Sequence, residues 1–151
     1  MANITAADVN KLRQMTGAGM MDCKKALQEN DGDFDKAIDY LRKKGQKLAT
    51  KRADKDANEG IVIARTNEAD NYGAIFLLYC ETDFVAINQE FVDFTNALMA
   101  KAMEKQPADI DVFKALDLNG RSVEENITEM VGKTGEKMEL AHFETIQAES
   151  V

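Results

Sequence analysis

The 151-residue chain is 44% hydrophobic and 30% charged, contains a single proline and carries a net charge of −8. This composition is typical of a helix-rich soluble protein of about one domain's length, rather than a β-sandwich or a disordered segment. The acidic balance argues against nucleic-acid binding by the whole surface, because neutralising phosphates requires clustered Lys and Arg.

No apolar run approaches the roughly 20 residues that span a bilayer, so we expect no membrane partner. Residues 1–5 show neither the basic nor the apolar stretch of a secretory signal. Two cysteines, Cys23 and Cys80, are too few for a disulfide framework. We therefore expect a cytoplasmic protein with reduced thiols.

Residues 4–45 are predicted to form three helices. Thr5 with Asp8 resembles a capping box at the start of the first helix. The glycine pair that begins at Gly17 should end that helix in a tight turn, and a second helix should start near Met20. The third helix is expected to begin after the N-cap residue Asp33. It is expected to end at Gly45, because glycine often occupies the C′ position that follows a helix.

The stretch 42–55 is strongly basic, which indicates a solvated helix face or a linker, with contact to an acidic partner as the alternative. The acidic turn at 31–35 does not fit a calcium loop. If Asp31 were the first ligand, Lys36 would replace the required glycine and Arg42 the bidentate glutamate. We expect no metal site and no cofactor.

From residue 60 the pattern changes to strands and helices. Apolar runs at 61–66 and 72–80, joined by about five turn-prone residues, predict a hairpin. A helix should begin near Asn88, and a second should follow a Ser122–Glu125 capping pair. Residues 138–146 are predicted as a third strand.

The fold class is therefore α+β, divided into a three-helix domain at 1–46, a basic helical connector at 47–58, and a β-β-α-α-β domain at 59–151.

Few residues point to catalysis. Cys80 and the single histidine, His142, could in principle meet, but the sequence contains no nucleophile elbow, HExxH or Walker A motif. Packing is the simpler interpretation of both. On periodicity alone, Phe84 is expected in the core at a strand-to-helix junction, where Thr82 or Asp83 would cap a helical turn.

The adjacent residues Met20 and Met21 cannot both face one core, because neighbouring side chains on a helix diverge by about 100°. Core packing and contact with a partner protein are equally open for them on composition alone, since Met is an adaptable apolar contact.

Two longer segments carry a family resemblance. TGAGMMDCKKAL at 16–27 and CETDFVA at 80–86 resemble the two signature segments of the elongation factor Ts family, in the right order and spacing. ITAADVNKLRQ before the first segment and EGIVIAR before the second are similar to the same family. The resemblance covers essentially the whole chain and is weakest over 104–122.

The resemblance implies a ubiquitin-associated-like three-helix domain followed by the first α+β subdomain of a truncated dimerisation domain. It implies a guanine nucleotide exchange factor for the GTPase elongation factor Tu in translation elongation, meeting Tu in its GDP-bound and nucleotide-free forms. Such a factor uses no catalytic residues, and a truncated form would be only partly active. The implied Tu-contacting residues are Arg13, Met20, Met21, Thr82, Asp83, Phe84 and Val85.

Within that set, the resemblance places Arg13, Met20 and Met21 against the nucleotide-binding domain of Tu. It places Asp83 and Phe84 near the magnesium and phosphate region. Two alternatives stay open. Residues 4–45 could be a generic module that binds a helix or a ubiquitin-like partner, or the chain could be an enzyme that depends on Cys80.

Overall fold

The computed structural model describes residues 2–149. Met1, Ser150 and Val151, which fall in the first and last predicted domains, lie outside the described residues. The helices are α1 (Ala6–Thr16), α2 (Met20–Glu29), α3 (Phe34–Lys51), α4 (Asp83–Ala86), α5 (Gln89–Lys105), α6 (Ile110–Ala115) and α7 (Val123–Thr134). The strands are β1 (Glu59–Thr66), β2 (Tyr72–Cys80), β3 (Asp117–Leu118), β4 (Arg121–Ser122) and β5 (Glu139–Gln147).

The chain divides into two compact units. The helical unit comprises Met1–Ala53 with Thr128–Gly135, and the sheet unit comprises Asp54–Ile127 with Glu136–Val151. Helices combined with a small antiparallel sheet confirm the predicted α+β class. The domain boundaries expected at residues 46 and 58 stay a prediction.

In the helical unit, the predicted caps are present. The Thr5 amide donates to Asp8 Oδ2 at 2.9 Å and the Asp8 amide donates to Thr5 Oγ1 at 3.2 Å, which closes the capping box. Gly17 ends α1 with φ +67°, a left-handed conformation that costs glycine little. Asp33 caps α3 by accepting from the Lys36 amide at 3.1 Å. The three helices enclose a small core of Val9, Leu12, Cys23, Ala26, Leu27 and Ala37.

The predicted end of α3 at Gly45 is wrong. The helix continues to Lys51, and Gly45 is buried in its interior. A Cβ atom on Gly45 would lie 3.4 Å from the Thr128 carbonyl oxygen and 3.6 Å from Gly132 Cα, both on α7. The missing side chain therefore allows two helix backbones to approach closely, instead of marking a C-terminal cap. Residues 52–58 form a turn followed by an irregular segment.

In the sheet unit, the predicted hairpin and third strand are confirmed. β1 and β2 pair antiparallel from Glu59 opposite Cys80 to Thr66 opposite Gly73, and β5 pairs antiparallel with the other edge of β2. Helix α5, capped by Asn88, packs on β1 and β2. One face of α5 is buried in a stripe of helical spacing: Phe91, Thr95, Leu98 and Ala102 are all at most 1% exposed.

The predicted β-β-α-α-β order is incomplete, because four short elements interrupt it. α4 is a single helical turn, and α6 with the β3–β4 hairpin lies between α5 and α7. Asn119 and Gly120 connect β3 to β4 with φ +58° and +87°, as a tight hairpin turn requires. Elements this short show no period. The helical turn of α4 was predicted from its cap, which is Thr82. Only cap and turn residues could have revealed the others.

Candidate partner-binding site

The end of β2 leads directly into the one-turn helix α4. Cys80, the last residue of β2, is fully buried, and its thiol donates to the Thr82 carbonyl oxygen at 3.3 Å. Thr82 is the N-cap of α4, and its Oγ1 accepts from the Val85 amide at 3.4 Å. Since a four-residue helix forms few internal hydrogen bonds, this turn depends on contacts outside itself.

α4 packs on β1, β2 and α5, and the hydrogen bonds that hold its first turn come from Glu136, 54 residues beyond Thr82 in the chain. Its Oε1 accepts from the Thr82 amide at 2.9 Å and from the Glu81 amide at 3.1 Å. Its Oε2 accepts from Thr82 Oγ1 at 2.6 Å. One carboxylate therefore binds two successive backbone amides and the capping hydroxyl. Hydrogen bonds to an ionised acceptor are roughly twice as strong as neutral ones.

The link also runs in the opposite direction. Glu81 Oε1 accepts from the Lys137 amide at 2.6 Å. The Glu136 side chain thus binds the backbone amides of Glu81 and Thr82, and the Glu81 side chain binds the backbone amide next to Glu136. These reciprocal bonds join the end of β2 to the segment that leads into β5.

The turn presents an exposed apolar surface. Phe84 is 78% exposed and Ile87 is 78% exposed, whereas Val85 is half-buried. The carboxylate-bearing Asp83 is also exposed. The expectation from periodicity that Phe84 lies in the core is wrong, because the turn directs its ring outward. Exposed apolar side chains that lie together, as Phe84 and Ile87 do at this turn, commonly mark an interaction site.

The other predicted contact residues lie in the helical unit. Met20 is 56% exposed, Met21 is 74% exposed, and Arg13 is exposed on α1. Neither methionine packs in the core, so the core alternative is wrong for both. Asp22, next to them, pairs with Lys44 on α3. The predicted residues thus form two groups, one in each unit: Arg13, Met20 and Met21; and Thr82, Asp83, Phe84 and Val85.

The thiols lie in environments that keep them protonated. Burial, reinforced by the charges of Glu136 and Glu59, raises the pKa of Cys80 from 9.0 to about 11. Burial likewise raises the pKa of Cys23. A reactive cysteine needs a lowered pKa, so these environments favour packing roles. His142 lies at a bulge between β2 and β5, where its Nε2 is 3.3 Å from the Tyr79 hydroxyl.

Within residues 2–149, no group of three or more His, Cys, Asp or Glu residues is arranged to hold a metal ion. Over the same range, no helix combines the length and the apolar character needed to cross a membrane.

Sequence reasoning missed Glu136 and Glu81 as parts of the site. Glu136 follows Gly135 in a polar stretch whose composition gives no sign of a role. Its partners lie 54 and 55 residues away, and no helical or strand period links positions so far apart. Only the pairing of β5 with β2 brings them together.

Comparisons with known proteins agree with one another. The family model described as "Elongation factor TS" matches residues 81–151. The chain is 54% identical to elongation factor Ts of Amoebophilus asiaticus over 98% of its own length and 53% of that protein. It is 53% identical to elongation factor Ts of Christiangramia forsetii over 98% of its length and 53% of the relative.

A third relative, elongation factor Ts of Rhodopirellula baltica, is 48% identical over 100% of this chain and 46% of its own length. The chain thus spans about half the length of the curated relatives that it matches. An identity of 48–54% along nearly the whole chain is far above chance similarity. The predicted resemblance to the family is therefore confirmed. The chain belongs to the elongation factor Ts family.

Proposed function

We propose that this chain is a guanine nucleotide exchange factor, or a partly active portion of one, that acts on elongation factor Tu. The observation that carries the proposal is Phe84, a 78% exposed aromatic side chain on a turn held by Glu136. The family relationship supplies the partner, and the exposed ring supplies the means of binding it.

In this proposal, α1–α3 are a ubiquitin-associated-like domain, and the sheet unit is the first of two related core subdomains. Arg13, Met20 and Met21 contact the nucleotide-binding domain of Tu. Their exposure supports this role, since side chains already in solvent need no unfolding to reach a partner. Met in particular adapts its shape to an irregular surface.

Exchange requires no covalent step. Tight GDP binding by a GTPase depends on magnesium and on backbone amides that surround the phosphates. A factor that binds the vacant GTPase more tightly than the loaded one must, by linkage, weaken GDP binding by the same ratio. We propose that Phe84 enters an apolar slot on Tu that opens when the magnesium site is displaced. The exposed carboxylate of Asp83 would repel a phosphate group nearby.

The free energy of burying Phe84 limits how much of the weakening of GDP binding this one side chain can supply. Burying a Phe ring contributes about 1.5–3 kcal/mol, and each tenfold loosening of GDP needs about 1.4 kcal/mol. Burial of Phe84 therefore accounts for a loosening of GDP by one or two factors of ten. The remaining destabilisation of GDP would come from the other proposed contacts in the two units.

The test is release of fluorescent GDP from elongation factor Tu at increasing concentrations of this chain, with a full-length relative as the positive control. We expect release above the intrinsic rate, smaller than with the full-length relative. Added GDP should dissociate the complex of the chain with vacant Tu. Equal affinity of the chain for loaded and vacant Tu would remove the thermodynamic basis for exchange.

A parallel measurement separates exchange from simple adhesion. If the helical residues 4–45 acted as a generic protein-binding module, substitutions on α4 would leave affinity for Tu unchanged. We expect instead that substitutions in both units weaken binding to vacant Tu, because both units expose apolar side chains at the proposed contacts.

A further inference from the structure

Helix α4 has too few internal bonds to hold Phe84 in one position. The helix contains four residues, and its N-cap bond from the Val85 amide to Thr82 Oγ1 is long, at 3.4 Å. Isolated helices become stable only at about 12 residues or more. Since Phe84 is 78% exposed, packing around its ring cannot fix it either. The rigidity of this turn must come from another part of the sheet unit.

The Glu136 carboxylate has the geometry to supply that rigidity. Its two oxygens take the Glu81 amide, the Thr82 amide and the Thr82 hydroxyl at 2.6–3.1 Å. The bond to the hydroxyl also orients Thr82 Oγ1 so that a lone pair faces the Val85 amide. The carboxylate therefore fixes the cap residue through both its backbone and its side chain, and the cap residue fixes the first turn of α4.

We infer that Glu136 is a positioning residue for nucleotide exchange: it holds the Glu81–Thr82 turn so that Phe84 is presented in its binding geometry before the partner arrives. The inference rests on the proposed function of Phe84. A side chain ordered in advance loses less conformational entropy when it binds. Without Glu136, Phe84 would retain its chemistry and lose its fixed direction.

Amide hydrogen exchange in the isolated chain tests the positioning itself. In Glu136→Ala, the amides of Glu81, Thr82 and Val85 should exchange at least about tenfold faster, since each loses a bond made or oriented by the carboxylate. The amides of Phe76 and Leu78 in the buried part of β2 should be unchanged, which distinguishes a loosened turn from a destabilised fold. Unchanged protection at Glu81 and Thr82 would overturn the inference.

Two further variants sharpen the result. Glu136→Gln should restore most of the protection, because Oε1 can still accept both amides while the side-chain NH₂ donates to Thr82 Oγ1. Glu136→Asp, one methylene shorter, should expose the same amides and serves as the test if Glu136→Ala does not fold. Glu139→Gln, at an exposed glutamate on β5, is the matched control and should behave as the wild type.

GDP release from elongation factor Tu then tests the link to exchange. Glu136→Ala should lower stimulated release by about tenfold in the wild-type background and have no further effect in a Phe84→Ala background. If the fold losses in GDP release caused by Glu136→Ala and by Phe84→Ala multiply in the double variant, Glu136 does not act through Phe84. That result would overturn the inference. If the wild-type chain itself fails to stimulate release, the proposed function fails, whereas the amide measurements still decide whether Glu136 holds the turn.

Discussion

Gly45 on α3 and Gly132 on α7 are in backbone contact within the helical unit. A Cβ atom on Gly132 would lie 3.1 Å from Gly45 Cα and 3.8 Å from its nitrogen. Both atoms belong to a helix backbone, which cannot shift as the end of a flexible side chain can. Two small residues facing each other therefore set the distance between these helices.

The first prediction concerns this contact. Gly132→Ala should lower the free energy of unfolding by roughly 1 kcal/mol. The overpacking cost of about 1–3 kcal/mol exceeds the helix-propensity gain of about 1 kcal/mol. Urea unfolding measures the difference. The control Asn10→Ala, at an exposed position on α1, gains propensity alone and should be neutral or stabilising. A Gly132→Ala protein as stable as the wild type would mean that the helices separate at little cost.

The second prediction separates binding from stability at Phe84. Phe84→Ala should reduce the stimulated release of GDP from elongation factor Tu by about 10- to 100-fold, the equivalent of 1.5–3 kcal/mol of lost burial. Because the ring is 78% exposed in the isolated chain, its removal should change the free energy of unfolding by less than about 0.5 kcal/mol.

Val62→Ala is the matched control for Phe84→Ala, since Val62 is a 64% exposed apolar side chain on β1 outside the proposed contacts. It should leave GDP release unchanged. Equal losses in the two variants would assign the effect to general surface hydrophobicity rather than to the α4 turn.

The third prediction concerns the exposed methionines at the start of α2, Met20 and Met21. Met21→Ser should weaken binding to vacant elongation factor Tu by about tenfold, because the partner would bury a side chain that is 74% exposed in the isolated chain. Titration calorimetry or a surface-binding assay gives the affinity. Met15→Ser provides a control of the same residue type in the same unit, at 56% exposure and outside the proposed contacts. Identical affinities for the two variants would argue against a specific role for Met21.

The fourth prediction concerns pH. The folded protein keeps the Cys80 thiol protonated up to a pKa of about 11, whereas the thiol ionises near 9.0 when burial is lost. The unfolded state therefore releases this proton first as the pH rises. The stability linked to this thiol is complete below about pH 9 and is lost progressively between about pH 9 and pH 11.

Urea unfolding of the wild type and of Cys80→Ala, from about pH 8 to about pH 10.5, measures this contribution. The wild type should lose stability with rising pH more steeply than Cys80→Ala. Parallel pH profiles would show that Cys80 ionises as readily in the folded chain as in the unfolded chain. The dependence of stability on pH that remains in Cys80→Ala should include contributions from Cys23 and Tyr72, since burial raises the pKa of both.

Local signals predicted a large part of the fold. The Thr5–Asp8 and Ser122–Glu125 capping boxes are both present, the latter with bonds of 2.8 and 3.1 Å. The stripe on α5 and the β1–β2 hairpin also follow from spacings of two to four residues. The Asn119–Gly120 turn carried an equally local signal, and the sequence interpretation missed it because the strands on either side have only two residues each.

The candidate site was predictable only in part. The two signature segments indicated the methionine pair and the stretch from Thr82 to Val85, and the similar segment before the first of them indicated Arg13. None of these segments showed what holds the Thr82–Val85 stretch in place. Periodicity placed Phe84 in the core, and the structure places it in solvent. Direction of a side chain at a junction depends on the backbone of the turn, and here a glutamate from a distant segment sets that backbone.

The sequence by itself determined the starts of α1, α2, α3, α5 and α7, the hairpin and the fold class, because capping and amphipathic periods act between residues a few positions apart. The two signature segments indicated the family. Only the tertiary structure decided that Gly45 lies inside a helix against Gly132, and that Glu136 binds the turn beside Phe84. Those contacts join segments 54 to 87 residues apart. Nothing in the local chain encodes them, since they exist only once strands have paired and helices have packed.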